Sequence, residues 1–229
     1  MILEVESAYE YATIIGALFR INKYVHPYFK KRPYVINLLF GSATIPDHFR
    51  NELKCKEISF VSGFDHGSYT VFFGHNYSHL WDSDVGIQES EVKGRVIHLL
   101  ACQTGKELGV ELVRKGAKAY FGYDENFRFW SHEDYADDVL NDPYADPFFK
   151  ADSEIDRCLA DGMATDQVHK EVVALFNDLI DEWTGVNDTI ASRLNWDLIH
   201  FCSPTKDEKW GQKDAIIDDA IRVFMLLFQ

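Results

Sequence analysis

The stretch from Val96 to Asp124 constrains this chain most, because it reads without interruption as buried strand, turn, helix, glycine stop and second strand. An apolar run ends in Ala101 and feeds a short turn, Gln103 to Gly105. The next helix carries Leu108, Leu112 and Val113 on one face and stops at Gly116. Strand, crossover helix and strand is the repeating unit of a parallel sheet. Cys102 falls at the strand's carboxyl end, where the dipole and free N–H groups of the following helix would favour its thiolate. The same residue also fits a small buried hydrophobe, the usual state of an unreactive thiol.

A second strand end stands upstream. Tyr69-Thr70-Val71-Phe72-Phe73 is a β-branched and aromatic run that ends in Gly74-His75-Asn76. Open α/β sheets bind ligands outside the carboxyl ends of their strands, so His75 and Cys102 are expected to face one crevice. Such a pair is the minimum equipment for thiol catalysis. A cysteine of ordinary pKa, about 8.5, is mostly protonated at neutral pH, and a histidine near 6.5 can take that proton and later return it to a leaving amine.

Other apolar runs, Tyr34 to Phe40, Ile58 to Val61, Val71 to Gly74 and Ala119 to Tyr123, join Val96 to Ala101 as five short strands. The expectation is an α/β fold with a mostly parallel central sheet flanked by helices. Tyr11, Ile14, Ile15, Leu18 and Phe19 recur at helical spacing and end before Pro27. Residues 131–146 are acidic and turn-rich, a solvated loop, a lid over the site or a processing segment. Beyond them, Val168, Val172, Leu175, Phe176, Leu179, Ile180 and Trp183 form one helical stripe, and Ile216, Ile217, Ala220, Ile221, Phe224, Leu227 and Phe228 form another. The whole of 1–229 is read as one domain, with its core at about 34–125 and a helical part at about 148–229.

In Ala101-Cys102-Gln103-Thr104-Gly105 and the later Lys115-Gly116-Ala117-Lys118-Ala119-Tyr120-Phe121-Gly122, the chain resembles the caspase-like (clan CD) cysteine peptidases. This group includes caspases, gingipains, separases and the CHAT-type peptidases, and the motifs are most similar to its CHAT-like and gingipain-like members. The resemblance covers about residues 34–125. It implies the caspase-like (caspase-hemoglobinase) fold, a nucleophile at Cys102, a base at His75, and an oxyanion held by the N–H groups of Cys102 and residue 76. Asn76 stands where the group has glycine. Asparagine retains the N–H and tolerates positive φ better than other non-glycine residues. Asp124 and Glu125, just past the last core strand, lie near where the group builds its substrate pocket, and would suit a basic substrate side chain.

The remaining histidines have readings of their own. Asp65-His66-Gly67 contains a literal His-Gly and offers His66 as the lesser candidate for the base, but Gly63, Asp65, Gly67 and Ser68 suggest a loop before the apolar strand. His79 could line a substrate loop, and His98 sits within an apolar strand as a core residue. His75, His79, Asp82 and Asp84 are metal-ligand types without the repeated pairs of a structural zinc site, so neither a metal nor another cofactor is expected.

With 23 Lys and Arg against 37 Asp and Glu, the net charge is −14, which opposes binding to nucleic acid or anionic membrane. The four cysteines are dispersed, as suits reduced thiols, and the first residues offer neither a basic leader nor a bilayer-length apolar run, so the expected location is cytoplasmic. The reading is a cysteine endopeptidase acting through a thioester acyl-enzyme on a peptide or protein substrate. The alternatives are a catalytically silent binding or regulatory module and another thiol-dependent acyl hydrolase. The last helical stripe could serve a homodimer or a regulatory protein partner.

Overall fold

The chain opens with β1 (Ile2–Glu6), in which apolar and acidic residues alternate. In the computed structural model, which describes residues 1–217, all five of its residues are buried. Then follow α1 (Tyr11–Phe19), a π-helical turn (Arg20–Tyr24), α2 (His26–Phe29), β2 (Ile36–Phe40), α3 (Pro46–Leu53) and β3 (Phe60–Phe64). Next come β4 (Val71–Gly74), β5 (Ser78–Asp82), α4 (Glu89–Val92), β6 (Val96–Leu100), α5 (Leu108–Arg114) and β7 (Ala119–Tyr123). Three longer helices, α6 (Asp146–Ala160), α7 (Thr165–Trp183) and α8 (Asp188–His200), precede β8 (Phe201–Cys202).

The central sheet has six strands in the order β2-β1-β3-β6-β7-β8, parallel except where β8 runs against β7. Helices cover both faces, so the expected α/β class holds. Three strand expectations need correction. The sequence reading contains no strand at β1, because Glu4 and Glu6 interrupt the apolar run, yet both glutamates are fully buried. β4 lies outside the central sheet and pairs antiparallel with β5 in a separate hairpin. β3 continues three residues past Val61 to Phe64, through Ser62 and Gly63, which break the hydrophobic pattern.

Alternation divides the strand residues between two cores. Leu3, Val5, Val61, Ile97 and Leu99 pack with Phe49, Leu53, Leu108 and Leu112 from α3 and α5. Ile2, Phe60, Phe64, Val96 and Leu100 pack beneath Phe19, Phe149, Ile155, Val172 and Phe176 from α1, α6 and α7. The stripe expected at 168–183 is α7, with Val168, Val172, Phe176 and Leu179 buried. The stripe expected at the carboxyl end lies outside the described residues beyond Ile217. Among the described residues, no helix is long and apolar enough to cross a membrane.

A polar stripe crosses the second core. Register sets Glu4 beside Ser62 and Ser62 beside His98. Arg20, from the π-helical turn, donates to Glu6 (2.7 Å), Ser62 (2.6 Å), Asp152 (3.2 Å) and Asp156 (3.1 Å). His98 bonds Asp156 through Nδ1 (3.0 Å) and Asp152 through Nε2 (3.2 Å). All these side chains are inaccessible to solvent. Burial opposes charge on His98, but Asp156 and Asp152 outweigh it and raise its pKa to about 9. Burial likewise opposes ionisation of Asp156, yet His98 and Arg20 hold it down at about 2. Facing oxygens and nitrogens of His98, Asp152 and Asp156 lie within 4.8 Å of one another, but Arg20 already places a cation on both carboxylates. The cluster therefore reads as an ion-pair network rather than a metal site.

The network makes stability depend on pH. A histidine whose folded pKa is raised contributes fully below its unfolded value, about 6.5, and loses that contribution as pH rises through about 9. Urea unfolding of the wild type is expected to lose about 3 kcal/mol across this window. His98→Gln is expected to be less stable at pH 6 and to lack the slope.

Candidate active site

Cys102 lies two residues past the end of β6 and opens a run of turns rather than a helix, since α5 starts only at Leu108. A helix dipole acts within about its first turn, so the expected activation of the thiol by this helix is absent. The turn is held by other means. The Thr104 hydroxyl donates to the Ala101 carbonyl (3.0 Å) and meets the Tyr120 hydroxyl at 2.7 Å. The Gly105 N–H donates to Tyr123 O (2.8 Å), and the Trp210 indole donates to Gly105 O (2.9 Å). Gln103 adopts positive φ (63°), which turns the chain sharply just after the cysteine.

The histidine that lines a cavity with Cys102 is His66. Ser62 pairs with His98, and the ladder continues through Phe64 and Leu100 to a bond from Asp65 N–H to Leu100 O (3.4 Å). Two residues past paired strand ends, His66 and Cys102 leave the sheet at one height on strands about 4.8 Å apart. Both line a cavity of about 140 Å³. Gly67 lets the two loops meet: a Cβ there would lie 2.5 Å from the Cys102 carbonyl oxygen and 3.0 Å from Ala101 Cβ. Ladder bonds from Ser68 N–H to Val71 O (2.9 Å) and Phe73 N–H to His66 O (3.2 Å) flank Gly67, so its own N–H stays outside the ladder.

His66 is oriented from two sides. Its Nε2 contacts the Glu10 carboxylate, which leaves Nδ1 as the ring nitrogen that Glu10 does not take. Tyr77 stacks on the ring with centroids 5.3 Å apart and donates its hydroxyl to the other Glu10 oxygen (3.1 Å). Tyr77 has φ of 59°, a strained value for a bulky residue.

His75 belongs to a different piece of structure. It leaves β4 at the tip of the separate hairpin, its N–H donates to Thr44 O (2.8 Å), and its ring meets Tyr9 edge-on at 5.4 Å. It does not line the cavity with Cys102. The expectation of a shared crevice is corrected here: a strand end faces the sheet's crevice only if its strand is in that sheet. Asn76 does adopt positive φ (54°), but the following Tyr77 does too, and Ser78 N–H bonds back to His75 O. That is the hairpin turn with two left-handed central residues, so its conformation needs no oxyanion.

The remaining expected residues are accounted for. Asp124 accepts from His200 Nδ1 (2.7 Å) and Glu125 pairs with Lys106 (2.6 Å), and neither lines the cavity. His79 pairs with Asp82 at the surface (2.7 Å), and His98 is buried in the network above. Burial pushes the Cys102 thiol above its ordinary range, opposed by the N–H of Phe127 and reinforced by the nearby Asp197. Asp197 is itself buried, which raises its carboxyl well above the usual values; one oxygen accepts from Arg128 N–H (2.8 Å). The resting thiol is neutral. His66 was legible as a His-Gly dipeptide, but Ser62 and Gly63 hid the strand that delivers it.

No family model matches the chain, and no curated protein matches its sequence. Among solved structures it is similar to the Arg-specific cysteine proteinase gingipain R, with a TM-score of 0.60 and 14% identity over 94% of this chain and 47% of that one. It is also similar to a complex of Porphyromonas gingivalis RgpB pro- and mature domains, with a TM-score of 0.55 and 12% identity over 89% and 46%. The chain thus spans just under half the length of these proteins. At such identities the likeness is one of fold, and the fold is the caspase-like one.

Two outcomes follow from this geometry. Iodoacetamide at neutral pH is expected to label the partly exposed Cys55 faster than Cys102, with the buried Cys158 and Cys202 slowest; peptide mapping reads the order. Gly67→Ala is expected to lose about 1–3 kcal/mol in urea unfolding, because its methyl must displace the Cys102 carbonyl.

Proposed function

We propose that this protein is a cysteine endopeptidase in which Cys102 is the nucleophile and His66 the general base, with Glu10 positioning the imidazole. The observation that supports this reading is the β3–β6 register, by which a histidine and a cysteine leave neighbouring strands at one height and line one cavity. The Glu10 carboxylate favours the tautomer with its proton on Nε2 and leaves Nδ1 as the acceptor.

Because the thiol rests neutral, deprotonation and attack belong to one event. The S–H proton passes to His66 as sulfur bonds to the substrate carbonyl carbon, and the carbonyl electron pair moves onto oxygen. The N–H groups of Cys102 and Gly67 are the donors for that oxyanion, supported by the exclusion of Gly67 N–H from the hairpin ladder. Collapse breaks the C–N bond, and His66 returns its proton to the leaving amine. A water deprotonated by His66 then attacks the thioester, and the carboxylic product leaves as the thiol regains its proton.

Turnover of a broad peptide library tests the assignment. Cys102→Ala and His66→Ala are expected to lower kcat/KM by about 10²–10⁴ or more with unchanged circular dichroism. Glu10→Gln is expected to lose about tenfold through a misoriented ring, and His75→Ala to stay within about threefold of wild type because its ring touches no reacting group. An active His66→Ala beside an inactive His75→Ala sinks the assignment, and a wild type inert to the whole library sinks the peptidase reading.

A further inference from the structure

We infer that the cavity beside Cys102 accepts an apolar side chain of leucine to phenylalanine size, belonging to the residue whose carbonyl is attacked. This rests on the peptidase reading for its role, but the cavity's preference stands on its own walls. Phe64, Leu100 and Ala101 line it from the sheet, Ala12 from α1, and Phe127 and Phe129 from the segment after β7. Its volume, about 140 Å³, is close to the roughly 150 Å³ of an apolar protein cavity that takes up benzene.

The polar wall residues argue against a charged occupant. Thr13 is committed to the start of α1, where its hydroxyl oxygen accepts from the N–H groups of Tyr9 (3.2 Å) and Glu10 (3.1 Å) and donates to Glu10 O (3.0 Å). No lysine or arginine lines the cavity among the described residues, so nothing there would neutralise an acidic side chain. Apart from the reacting pair, Asp65 is the one ionisable group in the wall among the described residues. One of its oxygens accepts the His66 N–H, and the Ser7 and Tyr9 hydroxyls also act on the carboxylate as donors. Burial raises its carboxyl above the usual range, so it favours the neutral form more than a free aspartate does. An arginine side chain brings five N–H donors and a lysine three. A single carboxylate already engaged by Ser7, Tyr9 and the His66 N–H would leave most of them buried and unsatisfied. An apolar group leaves none. In this the chain would part from the arginine specificity named for the structurally similar gingipain R.

The test is alkylation of Cys102 in the full chain by N-capped chloromethyl ketones carrying Phe, Leu, Arg or Asp side chains, each rate divided by that for chloroacetamide. The Phe and Leu reagents are expected to react roughly 10- to 100-fold faster than the Arg and Asp reagents. Ala12→Leu fills the cavity and is expected to bring the four rates, each relative to chloroacetamide, together. Should that variant fail to fold, Phe129→Ala enlarges the cavity and is expected to shift preference from Leu toward a naphthyl side chain. Equal rates in the wild type, or a preference for Arg that Asp65→Asn abolishes, overturn the inference. Cys102 inert even to chloroacetamide overturns it as well, because the cavity would then be closed to the thiol. Selective labelling by the Phe reagent without hydrolysis of any peptide refutes the peptidase reading and leaves the cavity assignment standing; peptide turnover with an arginine preference does the reverse.

Discussion

The rest of the structure depends on the guanidinium of Arg20, which is fully buried and bonded to Glu6 on β1, Ser62 on β3, and Asp152 and Asp156 on α6. Asp152 and Asp156 also bond His98 on β6. Removing one partner from such a set leaves an uncompensated buried charge, typically a loss of about 3–5 kcal/mol. Its position has a consequence for the site. Glu10, His66 and Cys102 stand four residues beyond Glu6, Ser62 and His98, respectively. The network therefore clamps the three strands directly below the three residues proposed for the chemistry, and a shift in any one strand would move its site residue against the others.

Above the sheet, precision comes from a hairpin that contributes no strand to it. β4 and β5 return the chain so that Tyr77, held in a left-handed conformation, covers His66 and bonds Glu10. A bulky residue at positive φ costs on the order of 1–3 kcal/mol and persists only where surrounding contacts impose it. The stack on His66 and the bond to Glu10 are such contacts. Gly67 does the complementary service below, by removing the side chain that would otherwise separate the two loops.

For the nucleophile proposed at Cys102, the electrostatics favour one made during reaction over one stored in advance. Burial and the nearby Asp197 raise the Cys102 thiol, and α5 begins too far along the chain to counter them. Such a thiol resists adventitious oxidation and alkylation, since reactivity follows the thiolate fraction. In the proposed mechanism, catalysis then relies on a base oriented by Glu10 and Tyr77 and on backbone N–H donors for the developing oxyanion, which need no reorganisation.

The amino-acid sequence alone determined the α/β class, the Cys102 turn and the helical stripe of α7, because each depends on a continuous local pattern: an unbroken apolar run, a glycine stop, a 3.6-residue period. It did not determine which histidine joins the cysteine. His75 follows the cleaner strand, Val71 to Gly74, while His66 follows a strand broken by Ser62 and Gly63. Those two residues look like loop formers only until their partners are known. The Ser62 hydroxyl answers Arg20 and Asp156, and a Cβ at Gly63 would lie 2.8 Å from Phe72 and 2.9 Å from Leu99. Glu4 and Glu6 mislead in the same way, since carboxylates belong in a central strand only when distant cations and donors meet them. Whether a strand joins the main sheet or a separate hairpin is settled by pairing between residues far apart in sequence, and no local pattern carries that information.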